Sequence, residues 1–155
     1  MQNESKKERS QHRKIINEMR FQFPSLSVNE SVARGAVAVF CAQLDPSATE
    51  IADIKCAVSE AVTNSIVHAY RDSIGYIYIT VDLLENSVVK LKIKDKGCGI
   101  DDVKCARTPL YTTDRAGERS GMGFTVMESF TDAMRVTSKA GKGTTVTLYK
   151  KVSGR

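Results

Sequence analysis

The sequence predicts an α+β fold: a two-layer sandwich with helices packed on one face of a mixed, mostly antiparallel sheet. Three observations carry this. Two stretches with helical apolar spacing, residues 27–40 and 47–66, follow one another early in the chain. Two hairpin-like pairs of alternating segments, residues 76–94 and 134–150, come after them. The strands are grouped in pairs instead of alternating singly with helices, as a parallel sheet would require.

Taken in order, residues 1–18 have little apolar content and no clear period, and read as a flexible N-terminal tail. Residues 19–25 alternate and stop at Pro24, which suits a short edge strand. Ser27 with Glu30 fits a capping box, and Val28, Val32, Ala36, Val39 and Phe40 follow as its apolar stripe. Asp45-Pro46 breaks that helix. Ser47 with Glu50 repeats the box and opens a second helix striped by Ile51, Ile54, Val58, Ala61, Val62, Ser65 and Ile66. Residues 76–84 and 88–94 read as strands joined tightly through Glu85-Asn86-Ser87. A glycine-rich turn follows Asp95, then a polar loop from about 107 to 120. Residues 124–130 read as a helix. Residues 134–138 and 144–150 read as strands, joined through residues 140–143, with 151–155 as a C-terminal tail. Residues 19–150 thus form one domain, and no internal repeat is visible.

The 155 residues are enough to bury a core without disulfides or metals. A hydrophobic fraction of 41% and a charged fraction of 26% are ordinary for a soluble protein. No apolar run approaches the roughly 20 residues that span a bilayer. The polar N-terminus lacks the apolar core of a secretory signal. A cytoplasmic location is expected. Cys41, Cys56, Cys98 and Cys105 contain no Cys-x-x-Cys pair and read as reduced thiols. The net charge is +5, and residues 1–20 hold +3 of it. Low aromatic content argues against a nucleic-acid surface, so neither a nucleic-acid partner nor a membrane is expected.

Four constellations carry chemistry. In the second helix, Glu60, Asn64 and His68 recur every fourth residue and so share one face. An asparagine there offers an amide oxygen to Mg²⁺, which prefers hard oxygen ligands. A glutamate one turn earlier can take a proton from an attacking hydroxyl. A solvated helix face would explain either residue alone, and His68 reads as a helix-end residue with its hydrogen bond satisfied. Next, Asp95-Lys96-Gly97-Cys98-Gly99 ends a strand. Gly97 and Gly99 permit a sharp turn and a close ligand. Asp95 can accept the exocyclic amino group of adenine, although Asp-x-Gly is also frequent in plain turns. Third, Ser120-Gly121-Met122-Gly123 precedes a helix, where backbone amides and the helix dipole suit phosphate. It is no P-loop, because Gly-Lys-Ser/Thr is missing. Last, Gly143-Thr144-Thr145 opens the final strand, and its Thr145 hydroxyl is expected to reach back toward Asp95.

In this order and spacing the four resemble the Bergerat ATP-binding fold of the GHKL superfamily, which includes gyrase, MutL and histidine kinases. The chain has no room for the transducer domain of gyrase or MutL. Its histidines, His12 and His68, do not suit an autophosphorylating histidine kinase. Residues 59–70 (SEAVTNSIVHAY), 109–113 (PLYTT) and 118–128 (ERSGMGFTVME) are very similar to the bacterial anti-sigma serine kinases of sporulation. That resemblance spans residues 17–150.

The resemblance implies a homodimeric protein with ATP or ADP and Mg²⁺ bound. It implies two partners: a sporulation sigma factor, which is silenced, and an anti-anti-sigma protein, which is phosphorylated on serine. Glu60 matches the family's catalytic base, Asn64 its Mg²⁺ ligand and Asp95 its adenine contact. Gly97, Gly99, Gly121 and Gly123 match its phosphate-facing turns. Arg119 matches a lid residue that meets the γ-phosphate. Arg34 matches a residue of the partner-binding face. Two alternatives stay open: a kinase of the general-stress sigma factor, and a nucleotide-binding module without kinase activity.

Overall fold

The computed structural model describes residues 13–107 and 123–154. In chain order its elements are β1 (Ile15–Pro24), α1 (Asn29–Cys41) with a trailing 3-10 turn (Ala42–Leu44), and α2 (Ala48–Asn64), which a π-turn (Ser65–Ala69) continues. Then come β2 (Tyr76–Leu84), β3 (Val88–Asp95), α3 (Val103–Ala106), α4 (Gly123–Phe130), β4 (Ala133–Lys139) and β5 (Gly143–Lys151). The strands form one sheet in the order β1-β2-β3-β5-β4. All four pairings are antiparallel. The α+β sandwich is as expected, but the described sheet has no parallel component, because each hairpin brings its own antiparallel pair.

Alternation along the strands sorts the two faces. Ile77, Ile79, Val81 and Leu83 of β2, with Leu91 and Ile93 of β3 and Leu148 of β5, point to one side and are buried. Helices α1 and α2 cover them with Ala33, Val37, Ile54, Val58 and Val62. Burying each aliphatic side chain of that size stabilises the fold by about 1.5–3 kcal/mol. The opposite face is polar. Across it the registers align one row through all five strands: Arg20, Thr80, Lys92, Thr147 and Arg135.

The local signals fared unequally. Ser47 caps α2 as expected: its Oγ accepts from Glu50 N at 3.1 Å, and its N donates to Glu50 Oε2 at 2.7 Å. The α2 stripe is also as expected, with Ile54, Val58, Ala61, Val62 and Ser65 buried. The hairpin turn between β2 and β3 holds Asn86 and Ser87 at φ 63° and 57°. Such left-handed pairs match the twist of the flanking strands.

Helix α1 departs from its reading. Its N-cap is Val28 and no side chain caps it. Glu30 turns instead toward Ser59 and Arg34. The buried stripe is Ala33, Val37 and Cys41, whereas Val28, Val32 and Val39 are 72%, 66% and 76% exposed. Two apolar faces compete on this valine-rich helix, and only packing against α2 and the sheet selects between them. At the ends, β1 begins at Ile15, so part of the segment read as tail pairs in the sheet. Val152 is buried beyond β5, and Ser153 donates from N and Oγ to Glu50.

Candidate functional site

The site is built where the C-terminal end of α2 meets the β3–α3 turn, the first residue of α4 and the start of β5. Glu60 and Asn64 lie one turn apart on α2, both half-buried. Gly123 opens α4 directly against them. A Cβ there would lie 3.0 Å from Asn64 Oδ1 and 3.4 Å from Glu60 Oε2. The absent side chain thus lets a helix N-terminus approach the carboxylate–amide pair. The first backbone N–H groups of an α-helix lack intrahelical partners and can meet an anion. One amide oxygen beside one carboxylate is a hard-oxygen donor set, suited to an ion that keeps most of its water.

Asp95 ends β3 and is 4% exposed. Its Oδ1 accepts from Gly97 N at 3.0 Å and Thr144 N at 3.2 Å. Its Oδ2 accepts from Ser65 Oγ at 3.1 Å. Burial raises its pKa above the usual carboxylate value, and the donors from Gly97, Ser65 and Thr144 offset part of that rise. These partners aim the carboxylate and leave lone-pair capacity on Oδ2 for one further donor.

Glycine is required here by close approaches. A Cβ on Gly97 would lie 2.4 Å from Ala69 O, and one on Gly143 2.2 Å from Asp95 O, at a φ of 101°. The π-turn explains the first approach. One extra residue per turn after Asn64 pushes Ala69 O toward the loop, where it accepts from Cys98 N at 2.9 Å. Such π-turns recur at functional sites. Tyr70 completes the clamp: its hydroxyl donates to Tyr76 O at 2.5 Å and accepts from Lys96 N at 2.8 Å. On the far side, Ile100 N donates to Ser138 Oγ at 2.8 Å, and Gly141 N donates to Cys98 O at 2.6 Å.

Most of the expected residues fall into two clusters. Glu60, Asn64 and Gly123 come together, as do Asp95, Gly97 and Gly99, with Ser65 joining the two. Arg119 and Gly121 lie outside the described residues. At the start of β5 it is the buried Thr144 whose N donates to Asp95, while its hydroxyl pairs with Ser138 Oγ, and the pleat turns the Thr145 side chain to the other face of the sheet. Alternation back from the buried Val146 and Leu148 would have found this. Arg34 stands apart on α1, 43% exposed, with its Nε 3.8 Å from Glu30 Oε1. Ser65 and Tyr70 were missed as site residues. Ser65 is the polar member of an otherwise apolar stripe, which was the available signal.

Comparison with known proteins shows the family. The family model for the histidine kinase-like ATPase domain matches residues 23–150. The chain is 54% identical over 138 residues to the anti-sigma F factor of Geobacillus sp. (strain WCH70), covering 88% of this chain and 94% of that one. It is 55% identical over 135 residues to the anti-sigma F factor of Priestia megaterium, covering 86% and 92%. Among solved structures, it resembles the RsbU and RsbW domains of a Mycobacterium tuberculosis protein. There the TM-score is 0.64 at 20% identity, over 89% of this chain and 32% of that one, which speaks to the fold alone. The chain therefore belongs to the histidine kinase-like ATPase family and, within it, to the family of anti-sigma F factors. No helix among the described residues is long and apolar enough to cross a membrane.

Proposed function

We propose that this protein is an anti-sigma factor that binds and silences a sporulation sigma factor, and an ATP-dependent kinase that phosphorylates a serine of its anti-anti-sigma partner. The observation that carries the reading is the approach of Gly123 to Glu60 and Asn64, a carboxylate and an amide oxygen beside the first described residue of α4. Glu60 accepts the proton of the attacking serine hydroxyl, so that its oxygen becomes a competent nucleophile. Asn64 would hold Mg²⁺ through its amide oxygen. When bound, ATP would supply the γ-phosphoryl group and leave as ADP, and Mg²⁺ would neutralise the charge on the phosphates. Asp95 accepts the adenine amino group, aimed by Ser65, Gly97 and Thr144. Gly97, Gly99 and Gly121 let backbone amides approach the phosphates, and Arg119 contributes charge there.

The partners dock on α1. Its exposed Val28, Val32 and Val39 face away from the core, and a contiguous apolar stripe on a surface helix suits a protein partner. Arg34 on the flank of that helix supplies a charge for register. The protein acts as a cytoplasmic homodimer.

Glu60→Gln tests the chemistry. The amide keeps the shape of the carboxylate but not its basicity. The expected outcome is unchanged ATP affinity and a loss of phosphate transfer to the partner of about 100-fold or more. Transfer at the wild-type rate would remove Glu60 from this role. A sizing-column mixture with the sigma factor, with ATP and with ADP, tests the anti-sigma half; no complex with either nucleotide would overturn it.

A further inference from the structure

One polar contact joins the two helices that the preceding reading assigns to docking and to catalysis. Ser59 Oγ on α2 donates to Glu30 Oε1 on α1. The same Oε1 faces Arg34 Nε at 3.8 Å, one turn further along α1. That separation is beyond hydrogen-bonding distance, so the ion pair is loose. Ser59 immediately precedes Glu60. Successive helical residues point about 100° apart, so Ser59 faces α1 while Glu60 faces the site. Glu30 is 20% exposed and Arg34 43%, which places the carboxylate inside and the guanidinium at the rim.

We infer that Ser59 and Glu30 are positioning residues for Arg34. The hydroxyl holds the Glu30 carboxylate against α2 and so keeps Arg34 available to a partner instead of closed down on its own helix. A free Glu–Arg pair four residues apart would close into a full ion pair. Here the hydroxyl draws the carboxylate toward α2, and the pair stays open at 3.8 Å. The hydroxyl also fixes the Glu30 carboxylate beside Arg34 relative to α2, the helix that carries Glu60 and Asn64, so the docking face and the reacting groups share one frame.

The docking step rests on the proposed function; the positioning step does not, and the test separates them. The variants are Ser59→Ala, Ser59→Thr and Arg34→Ala, none of which touches the nucleotide site. The first readout is the Arg34 Nε–H resonance by nuclear magnetic resonance. Ser59→Ala is expected to move it as Glu30 closes on Arg34, and Ser59→Thr, which restores a hydroxyl, to return it toward wild type. The second is steady-state phosphorylation of a purified anti-anti-sigma protein of the sporulation type. Ser59→Ala is expected to raise KM for that protein by about threefold to fivefold, the size of a rim-charge effect, with kcat and ATP affinity unchanged. An Arg34 resonance indifferent to Ser59→Ala overturns the inference. A shifted resonance with unchanged KM, while Arg34→Ala raises KM, overturns its link to docking. If Arg34→Ala itself leaves KM unchanged, the docking role of Arg34 fails, and the resonance still decides the positioning.

Discussion

Asp95 shows how a single residue can be costly to the fold and useful to the site. It is buried at the end of β3 with three protein donors, and burial lifts its pKa above the ordinary aspartate value. A carboxyl group whose pKa is higher in the folded than in the unfolded state stabilises most when protonated. That contribution is full below the unfolded value and is lost as pH rises through the folded value. At neutral pH the ionised Asp95 therefore costs stability. Asp95→Asn removes the charge but keeps an oxygen for Gly97 N and Thr144 N. It is expected to hold or raise Tm at pH 7, with the advantage over wild type shrinking as pH falls through the raised pKa. The same variant presents a donor where adenine also presents one, so ATP binding is expected to weaken about 10- to 100-fold by calorimetric titration. A lower Tm at pH 7 with full ATP affinity would contradict both halves.

At the scale of elements, the junction of α2 with its π-turn does most to shape the site. The helix starts at a reciprocal Ser47–Glu50 cap and ends by pressing Ala69 O onto Gly97. Ser47→Ala is expected to lower unfolding stability by about 1 kcal/mol in denaturant titration, with the nucleotide site untouched. Tyr70→Phe acts at the other end. It strands Lys96 N and Tyr76 O, and is expected to cost about 1–3 kcal/mol and to weaken ATP binding as well. The two variants separate an effect on the helix from an effect on the turn it clamps. Their starting positions differ in legibility. The cap of α2 was readable because both partners lie within one turn of chain. The π-turn was not, because nothing local distinguishes Ser65-Ile-Val-His-Ala69 from one more helical turn; it is visible only where Ala69 meets a glycine some 28 residues away in sequence.

Across the whole molecule, the sheet sorts its faces by alternation, and the helices sort theirs by what they pack on. For the strands the two criteria agree. For α1 they do not: Val28, Val32 and Val39 form as regular an apolar stripe as the one that is buried. Val37→Ala is expected to cost about 2 kcal/mol of stability, since it opens a cavity under α1. Val39→Ser is expected to change stability by no more than about 0.5 kcal/mol. If α1 is a docking helix, Val39→Ser will weaken the partner complex nonetheless. Equal losses of stability from the two variants would place both valines in the core and refute the orientation of α1.

The residues themselves determined the α+β class, the two hairpins, the stripe of α2, and the grouping of Glu60 with Asn64 and of Asp95 with Gly97 and Gly99. Each depends on periods of two or four residues or on a turn of a few, and such short-range order is written locally. Only the tertiary structure decided which face of α1 is buried, that Thr144 and not Thr145 attends Asp95, that Ser65 and Tyr70 brace the turn, and that Gly123 meets the Glu60–Asn64 pair. Those outcomes depend on which distant groups arrive in contact. That is a property of the packed sandwich, and no local pattern encodes it.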